Sequence, residues 1–327
     1  MFYSIRHLTK FRYSSPVSES VMEARMCPRS EGPQRCLSFK LTVTPRTRVN
    51  SHRDYLGNVV HHFDVPGAHR NLTILAHSMV DVSPRAALPE ELGTGAWERL
   101  DEELAAGDFW ETLAPSRFAR WTGRIEEFAR ELDAPAAAEA RDLDPMALVT
   151  RLSAQVHRAI AYVPKSTRVD SPVDDALENR AGVCQDYSHI MIALTRRMGL
   201  PCRYVSGYLF HREGVRTRST EGATHAWVEV YLPGLGWVGM DPTNDSVAEE
   251  SHVRTAVGRD YADVPPTRGV FKGDASSELI VAVRVAPSDK APPPETEMEA
   301  EDWSAVVPPD RAPADAAAAE QEQQQQQ

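Results

Sequence analysis

The sequence predicts an α+β protein. In it, one helix with a cysteine in its first turn packs on an antiparallel sheet, and an antiparallel β module precedes both. Three observations predict this. Residues 1–84 read as alternating runs (FYSIRHLTKFRYS, CLSFKLTVTP, NVVHHFDVP, LTILAHSMVDVSP) broken by Pro, Gly and Asn, the pattern of antiparallel strands in a sandwich or barrel-like module. From Pro84 to about Ala140 the pattern turns helical, with Glu/Arg-rich runs such as WERLDEELAAGDFWETL and SRFARWTGRIEEFARELD. From residue 181 onward a helix signature is followed by two strands joined by a tight turn.

The helix signature is AGVCQDYSHIMIALTRRMG, residues 181–199. Tyr187, Ile190, Met191, Leu194 and Met198 recur at helical spacing, the stripe of a half-buried helix. Gly199, Leu200 and Pro201 form a stop, since glycine supplies the left-handed cap and proline cannot continue the ladder. Cys184 therefore falls in the first turn, beside backbone N–H groups that no helical carbonyl reaches. Those groups and the helix dipole favour a thiolate, which lowers a cysteine from roughly 8.5 toward neutrality. That environment suits a nucleophile, which in turn needs a base and a group to orient the base.

Thr224–Leu232 (THAWVEVYL) alternates and is rich in β-branched and aromatic residues. Pro233-Gly234-Leu235-Gly236 is a turn, and Trp237–Asp241 returns before Pro242 ends the strand. The midpoint of His225 and Asp241 is residue 233, inside the turn. A hairpin thus sets the two opposite or nearly opposite each other on one face, within reach of an imidazole–carboxylate hydrogen bond, and a bulge would shift that register. Cysteine at a helix start, with histidine and aspartate on adjacent strands, follows the logic of a nucleophilic triad.

GVCQDYSHIMIALTRRMGLPCRYVSGYL followed by THAWVEVYLPGLGWVGMDPTN closely resembles the core of the transglutaminase-like superfamily, whose fold is related to papain-like cysteine proteases. The resemblance is strongest over residues 145–250. RHLTKFRYSSPVSES, DYLGNVVHHFDV and GRDYADVPPTRGVFKG extend it to the bacterial branch of that family. It implies a papain/transglutaminase-like core, with Cys184 as nucleophile, His225 as general base and acid, and Asp241 as orienting carboxylate. It further implies a peptide or protein amide as substrate and no cofactor. Many relatives have an acidic residue, then Ala-Ser-His, before the tryptophan-bearing strand, whereas this chain has Gly222-Ala223-Thr224-His225.

The organisation expected is a β-rich module over residues 1–84, a helical connector over 85–144, a catalytic core with a C-terminal strand over 145–287, and a disordered tail over 288–327. Pro, Glu, Ala and a final glutamine run mark the tail. In the connector, Ser116 reads as a helix N-cap. Trp97, Phe109, Trp110, Phe118, Trp121 and Phe128 read as residues packed on the core. Residues between Asn244 and about Pro266 read as irregular.

A net charge of −11 over 327 residues argues against nucleic acid and anionic membrane surfaces as partners. Four cysteines at this length are no secreted disulfide framework, and a Cys27–Cys36 bridge is left open. The N-terminus has no signal-peptide pattern, so the expected address is cytoplasmic. Cys202 reads as a small buried hydrophobe. His189, five residues after Cys184, falls about 140° off the thiol's face, and Asp186 reads as a first-turn acid complementing the dipole. Six of the eleven histidines lie in residues 1–84 without zinc-type spacing. Two rivals come from other classes: a zinc site on Cys184, His225 and Asp241, and a non-catalytic binding module on the same fold.

Overall fold

A computed structural model describes residues 1–212, 214 and 217–288; the expected tail lies outside the described residues. The elements in chain order are β1 (Phe2–Ala24), β2 (Gln34–Thr44), β3 (Asn50–Arg53), β4 (Val59–Val82), α1 (Ala96–Ala106), α2 (Trp110–Leu113), α3 (Gly123–Glu131), α4 (Ala137–Ala140), α5 (Pro145–Ala159), β5 (Ala161–Tyr162), α6 (Val173–Asn179), β6 (Ala181–Gly182) and α7 (Cys184–Arg197). There follow β7 (Cys202–Leu209), β8 (His225–Leu232), β9 (Gly236–Asp241), β10 (Ser246–Val247), β11 (His252–Gly258), a 3-10 turn at Tyr261–Asp263, β12 (Thr267–Lys272) and β13 (Ser277–Ser288). No helix among the described residues is long and apolar enough to cross a membrane.

The N-terminal module is one six-stranded sheet with β1 and β4 at its centre. The two runs around Pro66 and Gly67 form a single strand, β4, because β1 pairs with it on both sides of a register shift near Val17. Antiparallel pairing tolerates such a bulge, and the strand bends there. Phe11, Tyr13, Phe63, Leu72 and Ile74 alternate inward and give the module a core of its own.

The second sheet has the order β10-β9-β8-β7-β11 and is antiparallel throughout. Ala226, Val228 and Val230 of β8 pack with Ile190, Met191 and Leu194 of α7 in the largest apolar cluster. That cluster also takes Trp97, Phe118, Phe128, Leu148 and Leu152, so the connector helices share the core. They cover the outer side of α7, which is buried nearly all round rather than on one stripe. Its end follows the expected stop, with Gly199 at φ 84°. Asp144 caps α5, accepting from the Met146 and Ala147 amides at 2.9 and 3.3 Å.

Several sequence expectations change. β13 pairs with β1 over twelve residue pairs, so the C-terminal strand belongs to the first sheet, not to the catalytic core; one strand's own alternation does not say which sheet receives it. The segment expected to be irregular contains β11, which pairs with β7. Every residue of β11 is buried, which erases the polar–apolar alternation that marks a half-exposed strand. Ser116 caps no helix: its hydroxyl meets the Arg196 guanidinium and the Phe118 amide donates to Asp260, so the chain passes through bends at residues 117–119 and no helix begins until Thr122 caps α3. Trp110 is 64% exposed and does not join the core.

β11 would be an open sheet edge, which sheets do not leave unpaired in a protein interior. Two side-chain amides of the N-terminal module cover it. Gln34 Nε2 donates to the Arg254 carbonyl and its Oε1 accepts from the Arg254 amide, both at 2.8 Å. Asn58 does the same to Val257, both contacts at 2.9 Å. Behind them Glu229 of β8 pairs with Arg203 and Arg254 in a buried ionic cluster. Asn58→Ala leaves the Val257 amide and carbonyl without these partners, so we expect about 3 kcal/mol lost in equilibrium urea unfolding. A loss below about 0.5 kcal/mol, the range of ordinary surface substitutions, would show the latch to be dispensable.

Candidate active site

Cys184 is the first residue of α7 and is half-buried. Two short parallel strands deliver it: β6 pairs with β5, Tyr162 facing Gly182. Asp186 then fixes the helix entry, its carboxylate accepting from the Val183 amide at 2.8 Å and the Thr167 hydroxyl at 2.6 Å. It is the expected first-turn acid, but buried, and burial pushes its carboxyl up to about 6. A Cβ on Gly182 would come within 2.8 Å of the Asp186 side chain, so only glycine leaves room for this cap.

His225 opens β8 and Asp241 closes β9. The observed pairs Val228↔Met240 and Leu232↔Gly236 centre the hairpin on residue 234, one beyond the expected midpoint. That register sets Asp241 opposite Trp227, with His225 diagonally adjacent. The offset is two positions, which keeps both side chains on one face. The contact forms across the diagonal, with His225 Nε2 and Asp241 Oδ2 at 2.7 Å. His225 Nδ1 is buried with no hydrogen-bond partner. Besides Asp241, Cys184 is the group close enough to raise the pKa of the ring. The three residues proposed from sequence thus lie together.

Burial alone would lower the His225 pKa, but the Asp241 carboxylate and the Cys184 sulfur outweigh it and hold the ring up near 10. Burial would likewise raise Asp241; the charge of His225 and the hydrogen bonds from His225 and His252 overcome it and hold the carboxyl well below the carboxylate range. Other sequence candidates lie elsewhere. Cys202 is fully buried in the apolar cluster, its thiol pushed up to about 12 by burial. His189 stacks on Phe118 and accepts from the Tyr261 amide at 3.2 Å. Cys27 and Cys36 are free thiols.

The segment before His225 is tied to α5, β5 and the turn after β9. The Tyr162 hydroxyl meets Thr220 at 3.3 Å. Arg218 donates to the His157 and Ile160 carbonyls, and Asn244 Oδ1 accepts from the Arg218 and Ser219 amides. Sequence reasoning missed His252 of β11, whose Nε2 lies 3.1 Å from Asp241 Oδ2. Its signal was faint: one histidine opening a strand that did not alternate.

His225, Asp241 and His252 each present a ligand atom within 4.8 Å of the others, a grouping that a metal ion can use. It differs from the zinc set weighed from sequence, which took Cys184 and not His252. The contacts themselves suit hydrogen bonds. Both ring nitrogens sit at 2.7 and 3.1 Å from one oxygen, below the ~3.3 Å edge of a tetrahedron with ~2.0 Å metal–ligand bonds. The residues do not fit a zinc ion in this arrangement.

Residues 3–81 match the bacterial transglutaminase-like N-terminal region, and residues 128–242 match the transglutaminase-like superfamily. An uncharacterized protein of Mycobacterium leprae is 33% identical over 280 residues, covering 85% of this chain and 96% of its own. A Cytophaga hutchinsonii protein described as a candidate cysteine protease superposes with TM-score 0.67 at 23% identity, over 89% of this chain and 93% of that one, a likeness of fold. A protein-glutamine gamma-glutamyltransferase of Pseudomonas aeruginosa is 33% identical over 140 residues, 39% of this chain and 21% of its own. The chain belongs to the transglutaminase-like superfamily, and its fold is that of the family: a papain-like core preceded by a β module.

The His225–Asp241 ion pair carries a pH signature. With the imidazole raised to about 10, its contribution to stability is fully present below the ordinary value of about 6.5 and is lost as pH rises through the folded value. We expect the His225 ring to titrate near pH 10 by NMR; a midpoint at or below about 6.5 would contradict the pair.

Proposed function

We propose that the protein is a cysteine-dependent acyl-transfer enzyme acting on amide bonds of peptides or proteins, with water as the acceptor, so that it works as a peptidase or amidase. The observation that carries this reading is the His225 ring, bound through Nε2 to a buried carboxylate with Nδ1 left unpaired, and close enough to Cys184 at the mouth of α7 for the sulfur to raise its pKa. An imidazolium there stabilises an adjacent thiolate. The sulfur attacks the carbonyl carbon and a C–S bond forms. The oxygen becomes an oxyanion beside the Cys184 amide, one of the helix's unpaired donors. His225 gives its proton to the leaving amine as the C–N bond breaks, which leaves a thioester. It then takes a proton from water, whose oxygen attacks the thioester carbonyl; the C–S bond breaks, the acyl group leaves as a carboxylic acid, and the thiolate–imidazolium pair is restored. Asp241 holds the ring's tautomer and offsets its charge throughout.

A second reading uses an amine in place of water and forms a new amide. The likeness to a protein-glutamine gamma-glutamyltransferase over 140 residues favours it. The chemistry up to the thioester is identical, and only the acceptor differs.

The test compares cysteines of like exposure in one molecule. Cys27, Cys36 and Cys184 are all half-buried. With iodoacetamide at pH 6, Cys184 is expected to react at least about 10-fold faster than the other two, as a thiolate outruns a thiol. His225→Ala is expected to remove that advantage. Equal rates at all three cysteines in the unaltered protein would sink the enzyme reading. Peptide amides incubated with and without an added primary amine then separate hydrolysis from transfer, and Cys184→Ala is expected to abolish both.

A further inference from the structure

Asp241 receives more donors than a triad requires. Its Oδ1 accepts from the Thr243 and Asn244 amides at 3.0 and 3.2 Å. Its Oδ2 accepts from His225 Nε2 and Asn244 Nδ2, each at 2.7 Å, and meets His252 Nε2 at 3.1 Å. The turn after β9 supplies every one of these donors except the two imidazoles. One imidazole lies on β8 and the other on β11, two places distant in the sheet.

The surroundings of His252 assign its proton. The Glu249 amide donates to His252 Nδ1 at 3.3 Å, so Nδ1 is the acceptor of the ring and Nε2 bears the hydrogen aimed at Asp241. Burial also favours the neutral ring, lowering its pKa. Neutrality matters chemically. A cation at this position would compete with the His225 imidazolium for one oxygen and repel it at a ring separation of 6.0 Å. A neutral N–H donor instead steadies the carboxylate without displacing its charged partner. The ring also stands edge-on to Trp227 at 5.2 Å, and Trp227 lies against His225 at 6.0 Å with planes 27° apart.

We infer that His252 is a positioning residue of the acyl-transfer site: a neutral imidazole that holds Asp241 Oδ2 and, through Trp227, the plane of His225, so that His225 Nδ1 meets the Cys184 sulfur. The inference rests on the triad reading above and adds to it a fourth residue from a different strand. It also makes the site depend on β11, the strand that the N-terminal module latches through Gln34 and Asn58.

The titratable groups around this cluster are Cys184 of α7, His225 of β8, Asp241 of β9, Glu249 ahead of β11 and His211 after β7. The probe is iodoacetamide, and the readout is the alkylation rate of Cys184 against pH in the full chain. His252→Leu removes the donor. Its Cys184 rate at pH 6 is expected to fall about 10-fold, with the rise of the profile moving toward an ordinary thiol's ~8.5. In His252→Gln the amide nitrogen occupies the place of Nε2, and the unaltered profile is expected within about 3-fold, since a neutral donor is retained. Should the leucine variant not fold, His252→Asn takes its place, because its shorter amide serves the Glu249 amide but does not reach Asp241. A folded leucine or asparagine variant with lowered thermal midpoint but an unshifted profile would overturn the inference and leave the triad standing. Equal rates at Cys184, Cys27 and Cys36 in the unaltered protein would overturn both.

Discussion

A carboxylate with no exposure to water sits at the centre of this fold. An ionised Asp241 would be prohibitively costly in that position without partners, because burial removes hydration that only hydrogen bonds and opposite charge replace. The chain meets that demand from three directions: β8 supplies an imidazolium, the Asp241–Asn244 turn supplies two backbone amides and one side-chain amide, and β11 faces it with a second imidazole. Each source restricts the architecture. The hairpin register must keep Asp241 and His225 on one face, and β11 must lie at the far side of β7 with its first residue turned toward β9.

That last requirement reaches into the N-terminal module. β11 is an outer strand, and its free backbone is satisfied by the side-chain amides of Gln34 and Asn58, which imitate a further strand. β12 and β13 then return to β1, and the Val283 amide donates to the Gly222 carbonyl in the segment ahead of His225. The described chain therefore leaves the second sheet and returns to the first one, tying the two together along sequence as well as in space. Close packing accompanies this. A Cβ on Gly207 of β7 would come within 2.2 Å of the Val253 carbonyl and 2.6 Å of Trp227, so β7 and β11 approach closely where the indole lies.

The contacts of α7 follow a similar pattern. It is buried on the sheet side by β8 and on the outer side by α3, α5 and α6. Its entry is set by a buried acid two residues past the cysteine. An expectation built on amphipathicity found the sheet-facing stripe and the terminal glycine, both local features. It did not find the outer cover, because residues such as Ala193 and Thr195 are small or polar enough to read as solvent-facing until another helix is placed over them.

Local chemistry made much of the site legible in the sequence. A cysteine at a helix start, a proline-bounded hairpin and the even spacing of His225 and Asp241 each follow from short-range rules of capping, turns and alternation. A two-residue error in the hairpin's register sum was harmless because side chains alternate with period two. What tertiary structure alone decided is which distant segments meet: β11 beside β7, β13 beside β1, and His252 against Asp241. These depend on burial from both faces, which removes the polar–apolar rhythm that a single strand displays. They also depend on hydrogen bonds between groups such as Asn58 and Val257, 199 residues apart, for which no local pattern exists.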